Sequence, residues 1–247
     1  MTDGPALLLF PCVLADDCPP ADVLPGKVIA RLRETRDFVV ENAKTARRFL
    51  AACGHPGPLA ALGMAVLDEH TPEAEVESLL GPLREGRPLG LLSEAGVPAV
   101  ADPGARLVAA AHAEGLRVVP FTGPSAILLA LMASGLEGQR FRFAGYLPVA
   151  TPARQDAIRN LEARSAAAGE TQIFIETPYR NDALLGDLLK TCRADTRLAV
   201  AADLTGPGES IRMASVGQWR ASPSPPGRRP AIFLLQSAVG SARGKAR

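Results

Sequence analysis

Two short loops rich in glycine and proline are the segments of this sequence best suited to bind a ligand. Residues 93–98 read SEAGVP, and residues 122–126 read TGPSA. Gly96, Gly104 and Gly123 allow the backbone to approach a ligand closely or to adopt a positive φ, and neighbouring prolines stiffen the loops. The chemistry indicated is therefore the binding of a ligand against backbone groups.

The motifs of several other enzyme classes are missing from the sequence. None of the four cysteines belongs to a CxxC pair, and the three histidines do not cluster with them at metal-ligand spacing. No GxSxG elbow, GxxxxGK[ST] loop or GxGxxG loop after a strand is found, so hydrolase, P-loop and ordinary dinucleotide sites are not indicated. We expect reduced thiols and no metal.

Each of the two loops is preceded by an apolar run and followed by a helical pattern of small residues. The runs are residues 88–92 and 116–121. Two parallel strands joined by a crossover helix are the economical interpretation. Ligands of parallel sheets bind beyond the carboxyl ends of the strands, so both loops are expected at one edge of a sheet.

Similar patterns predict an α/β fold along the rest of the chain. In the first half we predict strands at 6–14 and 37–41, helices at 25–36 and 43–53, and a helix with Thr71 as its N-cap. In the second half we predict strands at 141–147, 171–176, 198–202, 211–216 and 231–236, and helices at 151–168 and 178–192. The predicted domains are 1–121 with a parallel sheet and 122–238 with a mixed sheet, followed by a disordered basic tail at 239–247.

Length and composition agree with this organisation. A chain of 247 residues allows two domains, and no apolar run approaches the roughly 20 residues of a membrane span. With no basic segment before the early apolar run, the sequence predicts a cytoplasmic protein. A net charge of +1 indicates no general nucleic-acid-binding surface. Lys44, Arg47 and Arg48 nevertheless fall within one helical turn, as a solvated face or as a contact to RNA phosphates.

The two loop segments resemble a known family. SEAGVPAVADPG followed by VVPFTGPSAI is similar to the tetrapyrrole (corrin/porphyrin) methylase superfamily of S-adenosylmethionine (SAM)-dependent methyltransferases, and most closely to its ribosomal RNA small-subunit methyltransferase I branch. Other similar segments occur along the chain in the family's order, namely FVVENAKTARRFL before the two loops and GYLP, IFIETPYR, ADLTGPGESI and PAIFLL after them. The resemblance implies two α/β domains of the class III methyltransferase type with the cofactor in the cleft between them, a homodimer, and methylation of a ribose 2′-hydroxyl in small-subunit ribosomal RNA.

The resemblance also implies which residues bind SAM. They are Ala95, Gly96, Val97, Pro98, Ser125, Ala126, Glu176, Thr177, Pro230 and Ala231. Purely structural roles remain open for some of them: an N-cap for Ser125, a surface carboxylate for Glu176 and the start of an edge strand for Pro230.

The acceptor is less defined than the cofactor. A hydroxyl acceptor calls for a base, and the carboxylates in the similar segments are Glu41, Glu94, Asp102 and Glu209, each of which could equally be a cap, a salt-bridge partner or a solvated side chain. The first loop, residues 11–17, lacks the glycine found in the RNA branch. Two alternatives therefore stay open: a methyltransferase for a tetrapyrrole-like or other small molecule, and a SAM-binding protein without transfer activity. Further candidates for phosphate contacts are Arg31, Arg33, Arg36, Arg228 and Arg229.

Overall fold

A computed structural model of the chain describes residues 4–238. These residues form two compact units that divide after Ser125. Residues 122–125, which the sequence pattern assigns to the second domain, therefore belong to the first unit. The basic tail at 239–247 lies outside the described residues.

The first unit is built on a parallel sheet of five strands. The strands are β1 (Leu7–Phe10), β2 (Asp37–Val40), β3 (Gly63–Val66), β4 (Leu89–Leu92) and β5 (Val118–Pro120). Their order is β3-β2-β4-β1-β5, and every neighbouring pair is parallel. The predicted strands β4 and β5 thus lie in one sheet, with β1 between them. The pattern does not predict β3, because four residues that open with glycine have little strand signal until they pair with β2.

Helices cover both faces of this sheet. They are α1 (Pro20–Val23), α2 (Gly26–Glu34), α3 (Ala43–Ala52), α4 (Glu73–Val76), α5 (Gly81–Arg84) and α6 (Gly104–Ala113), with 3₁₀ turns at Leu59–Ala61 and Glu77–Leu80. Alternate strand residues face opposite ways, so Phe10 and Phe38 pack with α2 and α3, whereas Leu7 and Val39 pack with α4 to α6. Burial on both faces explains why these strands read as continuous apolar runs.

The predicted N-cap at Thr71 is wrong. Pro72 is the N-cap of α4 and makes no side-chain capping bond. The Thr71 hydroxyl instead donates to Asp68 Oδ1 over 3.0 Å and accepts from the Asp68 backbone N–H, also at 3.0 Å. A turn closed by an aspartate side chain competes with capping, and here the turn occupies the hydroxyl.

The second unit contains a mixed sheet of five strands. The strands are β6 (Phe141–Tyr146), β7 (Thr171–Glu176), β8 (Arg197–Ala202), β9 (Ser210–Ser215) and β10 (Ala231–Gln236), in the order β6-β7-β10-β8-β9. The pair β6–β7 is parallel and the other pairs are antiparallel. The carboxyl ends of β6, β7 and β8 therefore share an edge with the amino end of β10.

The helices of the second unit are α7 (Ala126–Ser134), α8 (Thr151–Ala168), α9 (Asn181–Thr191) and α10 (Val216–Ala221). The predicted helix at 178–192 is divided, because Pro178–Arg180 forms a 3₁₀ turn before α9 begins. The pattern does not predict α10. This helix begins with a capping box at Ser215 and buries Trp219. The Trp219 indole N–H donates to Leu198 O over 2.9 Å. Within residues 4–238, no helix is long and apolar enough to cross a membrane.

Candidate functional site

The carboxyl ends of the parallel strands bring the first-unit loops to one edge of the sheet. The loop after β1 is hydrogen-bonded to the loop after β4, since the Cys12 N–H donates to Gly96 O over 2.7 Å. The end of β2 is joined to the same loop, because the Glu94 N–H donates to Glu41 Oε1 over 3.0 Å. Three loops that are distant in sequence therefore form one surface.

Gly96 lies where two of the predicted cofactor segments meet. Its φ is +71°, and a Cβ added there would lie 3.1 Å from Leu14 Cδ2 and 3.5 Å from Pro124 O. The backbone of residues 95–98 thus lies close to the segment that leads into Ser125. A side chain at Gly96 would be strained by the backbone angle and crowded by its neighbours.

Gly123 serves a different purpose from the one its sequence context indicates. Its φ is not positive, and a Cβ there would lie 2.2 Å from Pro11 Cγ. The ring of Pro11, in the loop that lacks glycine, therefore occupies the space beside Gly123. The missing side chain at Gly123 permits contact between two protein loops rather than contact with a ligand.

Asp102 shapes the loop that follows β4. Its Oδ2 accepts from the Ala99 N–H over 2.8 Å and its Oδ1 from the Gly104 N–H over 2.7 Å. Between them, Ala99 and Ala101 have φ of 65° and 61°, a left-handed conformation that is unfavourable for residues with a Cβ. Burial raises the pKa of Asp102 and the backbone donors oppose this rise. Both oxygens already accept hydrogen bonds, so the geometry favours a structural role over proton transfer.

Glu41 and Glu94 are placed differently from Asp102. Glu94 Oε1 accepts from the Thr45 hydroxyl over 2.6 Å, and Glu41 accepts only the Glu94 N–H. Each therefore keeps a second oxygen that makes no hydrogen bond within residues 4–238. Burial raises the pKa of Glu41, and the carboxylates of Asp102 and Glu94 raise it further. Glu209 is exposed and likewise keeps one oxygen without a hydrogen bond within residues 4–238, so among the four candidate bases both oxygens are engaged in Asp102 alone.

A cavity of about 80 Å³ lies beside Glu94. Its walls come from the loop after β1, from α3 and from the loop after β4, and they include Cys12, Asp16, Thr45, Arg48, Ser93 and Glu94. Ligand clefts for drug-sized molecules are about 300–1,000 Å³, so this cavity accommodates only a small group. Burial raises the pKa of the Cys12 thiol far above neutral, which leaves that wall uncharged.

The three cations predicted on α3 are not equivalent. The helix begins at the N-cap Asn42, whose side chain accepts from the Lys44 N–H over 2.9 Å. Lys44 is exposed and makes no ion pair within residues 4–238, whereas Arg48 pairs with Asp16 at 2.8 Å. Arg47 is half-buried and its Nη1 donates to the carbonyl of its own helix, 3.4 Å away. Two of the three predicted phosphate contacts are therefore available at the surface.

The more distant arginines are mostly engaged by the protein itself. Arg31 pairs with Glu34 at 3.0 Å, and Arg33 donates to Cys53 O over 2.6 Å. Arg229 donates to three groups, Pro226 O, Gly208 O and Ser210 Oγ. The guanidinium groups of Arg36 and Arg228 are exposed and make no hydrogen bond within residues 4–238.

In the second unit, Glu176 is the central residue of the predicted cofactor set. It ends β7 opposite Ala231, the first residue of β10, and its side chain is 0 % exposed. Its Oε1 accepts from the Thr177 N–H at 2.7 Å and from Arg180 Nε at 2.9 Å and Nη2 at 2.6 Å. Its Oε2 is buried and accepts no hydrogen bond within the described chain.

Two structural alternatives for this set are excluded by the fold. Glu176 is buried, so it is not a surface carboxylate. Pro230 precedes β10, which lies between β7 and β8, so it does not start an edge strand. Its carbonyl accepts from the Asp203 N–H over 2.9 Å. The pairing of β7 with β10 thus brings Glu176, Thr177, Pro230 and Ala231 together.

The loop after β8 completes this edge. Asp203 and Thr205 have φ of 53° and 65°, and the Thr205 hydroxyl is buried without a partner within residues 4–238. The Thr205 N–H donates to Glu209 Oε2 over 2.9 Å, so Glu209 braces the loop. Asn181 Oδ1 is a second buried oxygen without a partner within that range. The pattern does not single out Arg180, Asn181 or Thr205, although Arg180 and Thr205 stand inside the similar segments IFIETPYR and ADLTGPGESI.

The described residues do not form a metal-binding cluster. Within residues 4–238, no group of three or more His, Cys, Asp or Glu side chains is placed to hold a metal ion. All four cysteines are free thiols and buried. Burial raises the pKa of Cys53 to about 11 and that of Cys192 to about 12, so both remain protonated at neutral pH.

A sequence model described as Tetrapyrrole (Corrin/Porphyrin) Methylases matches residues 24–219. The chain is 37% identical over 152 residues to a ribosomal RNA small subunit methyltransferase I of Escherichia coli O157:H7, a match covering 62% of this chain and 52% of that protein. It is 31% identical over 217 residues to the protein of the same name from Pseudomonas aeruginosa, covering 87% and 74%. The first of these matches thus spans about half the length of the relative.

Solved structures share the fold at lower identity. The methyltransferase CobJ is 20% identical with a TM-score of 0.58, covering 88% of this chain and 89% of that one. A conserved hypothetical protein from Aeropyrum pernix K1 is 16% identical with a TM-score of 0.66, covering 96% and 86%. These likenesses support the arrangement of strands and helices and nothing finer.

Proposed function

The chain belongs to the tetrapyrrole (corrin/porphyrin) methylase family, and we propose that it is a SAM-dependent methyltransferase acting on small-subunit ribosomal RNA. The proposal of RNA rests on relatives named ribosomal RNA small subunit methyltransferase I. Within that class we propose a ribose 2′-hydroxyl as the acceptor. Such a substrate would place the protein in the cytoplasm.

One observation carries the proposal of a cofactor site. Glu176 Oε2 is a buried carboxylate oxygen with no hydrogen-bond donor among residues 4–238. A buried acceptor without a partner is unfavourable, and a ligand with an amino group would satisfy it. SAM carries amino groups, so the residues at this edge fit it. We propose that the residues which the resemblance assigns to the cofactor take part in binding SAM: the backbone at 95–98 and at 230–231, Ser125, Ala126 and Thr177.

The bound cofactor would supply a methyl group on a sulfonium, whose displacement releases a neutral thioether and depends mainly on positioning and desolvation. The residues of this chain provide that positioning. Asp102 and the positive φ of Gly96 fix the loop after β4, and Arg180 fixes the carboxylate of Glu176. Glu41 and Glu94 are the groups best placed to accept a proton from a hydroxyl.

Calorimetry tests the cofactor assignment. Titration of folded protein with SAM, and separately with its demethylated product, should give saturable heat in the presence of a chelator. The absence of heat with both ligands, on protein whose circular dichroism shows it folded, would remove the cofactor from the proposal.

Transfer of labelled methyl groups tests the acceptor. Small ribosomal subunits from cells lacking the gene should accept label, and subunits from cells that carry it should not. Label found only in a small molecule would favour the tetrapyrrole-like acceptor. Binding of SAM with no transfer to any fraction of the extract would favour a binding protein, for which the altered loop at 11–17 is the motivating observation.

The salt dependence of RNA binding tests the phosphate contacts on α3. Each neutralised phosphate contributes about 0.7 to 0.9 to the slope of log affinity against log salt. Because Lys44 and Arg48 are exposed and Arg47 is half-buried, we expect two contacts and a contribution of about 1.4 to 1.8. Lys44→Ala with Arg48→Ala should remove that contribution, whereas Arg31→Ala, which breaks an exposed pair on α2, should leave the slope unchanged.

We also propose a homodimer. Helix α7 packs against β8, β9 and β10, so it is held within its own chain. Its outer side nevertheless exposes Leu128 by 50% and Met132 by 78%, which is an apolar surface available to a second copy. Light scattering at micromolar concentration should give twice the chain mass, and Met132→Glu should reduce it. A monomer mass for the unaltered protein would refute the dimer.

A further inference from the structure

We propose that Tyr146 and Tyr179 form a stacking platform for an unpaired base of the RNA substrate. The inference rests on the proposed function, since it names how the proposed substrate is held. These are the only two tyrosines in the sequence, and both are exposed, by 58% and 71% of their surface. Most other large aromatic side chains of the chain are less exposed; Phe141, at 41%, is the next most exposed among the described residues.

The topology brings the two tyrosines to the same edge of the second sheet. β6 and β7 are parallel neighbours, and Tyr146 at the end of β6 is opposite Ile175. β7 ends one residue later at Glu176, and Tyr179 follows within the 3₁₀ turn Pro178–Arg180. Tyr146 therefore ends one strand and Tyr179 lies just beyond the end of the neighbouring strand, at the same edge of the sheet.

The ring of Tyr179 makes a cation–π contact with the guanidinium of Arg180, which is itself held in place. The Arg180 guanidinium carbon lies 5.5 Å from the centre of the Tyr179 ring. Arg180 in turn donates two hydrogen bonds to Glu176 Oε1, whose side chain is fully buried. Anchoring of this kind reduces the conformational freedom that the ring would lose on binding, and it leaves the other ring face open.

The surroundings favour a nucleobase as the occupant. Neither tyrosine ring packs against another aromatic ring, and neither hydroxyl makes a hydrogen bond, within residues 4–238. Arg228 is exposed close by, in a loop tied to the start of α9, because Asn181 Nδ2 donates to Gly227 O over 3.2 Å. Open aromatic faces beside a solvent-exposed cation are the combination that proteins use to stack unpaired bases and contact the adjoining phosphate.

Substitution of each ring distinguishes stacking from other roles. Tyr146→Ala and Tyr179→Ala should each raise the KM for small subunits about tenfold, the loss expected from one base–aromatic stack, with kcat and the SAM Kd within twofold of wild type. Tyr→Phe at either position should restore the wild-type KM, because the ring and not the hydroxyl stacks. Phe141→Ala is the matched control, since Phe141 is a 41% exposed aromatic at the opposite end of β6. Its KM should not change.

A second readout separates the platform from the proposed function. A single-stranded RNA oligonucleotide with one 2-aminopurine should lose fluorescence on binding, and both Tyr→Ala variants should abolish that loss. Wild-type transfer to small subunits with unchanged KM in the tyrosine variants would overturn the platform and leave the function standing. Quenching that depends on the tyrosines, in a protein that transfers no methyl group, would support the platform and overturn the proposed function. Equal losses in the Tyr→Phe and Tyr→Ala variants would overturn stacking in favour of a contact through the hydroxyl. Weaker SAM binding would indicate a cofactor contact instead, and a change in oligomeric mass would indicate a subunit interface.

Discussion

Asp102 in the first unit and Glu176 in the second are both carboxylates at a sheet edge, and they are hydrogen-bonded in different ways. Asp102 accepts backbone N–H groups on both oxygens, so its charge fixes the shape of its own loop. Glu176 accepts a guanidinium and a backbone N–H on one oxygen and leaves the other without a partner. Backbone N–H groups that bond both oxygens leave a carboxylate no capacity for a ligand, whereas an arginine that bonds one oxygen leaves the other oxygen able to bind a ligand.

The largest effects are expected where buried ion pairs are broken in the second unit. Glu176→Gln releases Arg180, and Asp187→Asn releases Arg154, whose pair with Asp187 is 6% exposed on both sides. Each variant should lose about 3 kcal/mol or more of unfolding free energy, because a guanidinium is left without its counter-charge. The loss should be greater for Asp187→Asn, since Arg180 remains partly in water. Urea denaturation followed by circular dichroism measures both.

Ligand binding should separate these two variants. Asp187 Oδ2 accepts from Arg154 Nε over 2.8 Å and Oδ1 accepts from Gln155 over 3.0 Å, so both oxygens are satisfied. Asp187→Asn should therefore leave the Kd for SAM within twofold, whereas Glu176→Gln should weaken it at least tenfold. Equal affinities in the two variants would show that the free oxygen of Glu176 has no part in binding.

The next largest effect is expected at Gly96. Gly96→Val places a branched side chain at φ +71° against Leu14 and Pro124 O, and it should reduce SAM affinity at least 100-fold in calorimetry. Gly115→Val is the control, because φ there is +68° and a Cβ would meet no atom within 4 Å. Both variants incur a similar backbone cost of about 1–3 kcal/mol, so only the loss of affinity should distinguish them. Wild-type affinity in Gly96→Val would place the cofactor elsewhere.

A smaller effect is expected at Asp102. Asp102→Asn puts an amide NH₂ opposite a backbone N–H, so the unfolding free energy should fall by about 1–2 kcal/mol and SAM affinity about tenfold. Asp68→Asn is matched to it, because Asp68 also braces a loop, accepting from the His70 N–H over 2.9 Å. That variant should lose stability without losing affinity. Unchanged SAM affinity in Asp102→Asn would show that the strained loop at 99–101 has no part in SAM binding.

The buried strands β4, β7, β8 and β10 were largely predictable because burial on two faces leaves a nearly continuous apolar run. The bounds 171–176 and 231–236 agree with the structure, as does the long helix at 151–168, which has Pro152 in its first turn and a left-handed Gly169 at its end. Short elements stabilised by partners, such as β3 and α10, were not predictable from local pattern.

The site was predictable as a set of segments but not as a set of atoms. The segments after β4 and β7 stand out by their glycine, proline and polar residues. That Pro11 fills the space beside Gly123 depends on a contact between residues far apart in sequence. The donors to Glu176 Oε1 are sequence neighbours, but the pairing of β7 with the distant β10 places Glu176 in the middle of the sheet. Local sequence carries no record of such contacts, since they arise only when the strands pair.

The smallest effect on stability is expected at Glu41, where the sign of its pH dependence is informative. Burial raises the pKa of Glu41, so its folded form binds a proton more tightly than the unfolded chain does. Its contribution to stability is fully present below the unfolded pKa and is lost as the pH rises through the folded pKa. Asp187 behaves oppositely: burial alone would raise its pKa, but Gln155 and Arg154 lower it overall, so its contribution is lost as the pH falls.

Glu41→Gln should therefore be slightly more stable than wild type at neutral pH, by about 1 kcal/mol or less, and equal to it near pH 4. The amide oxygen can still accept the Glu94 N–H, so the loop should keep its shape. Urea denaturation at several pH values measures this difference. Methyl transfer in the same variant then decides the role of Glu41: loss of a general base lowers kcat about 10²- to 10⁴-fold, whereas a structural carboxylate leaves kcat unchanged. A stable variant with wild-type kcat would leave Glu94 as the remaining candidate in the first unit.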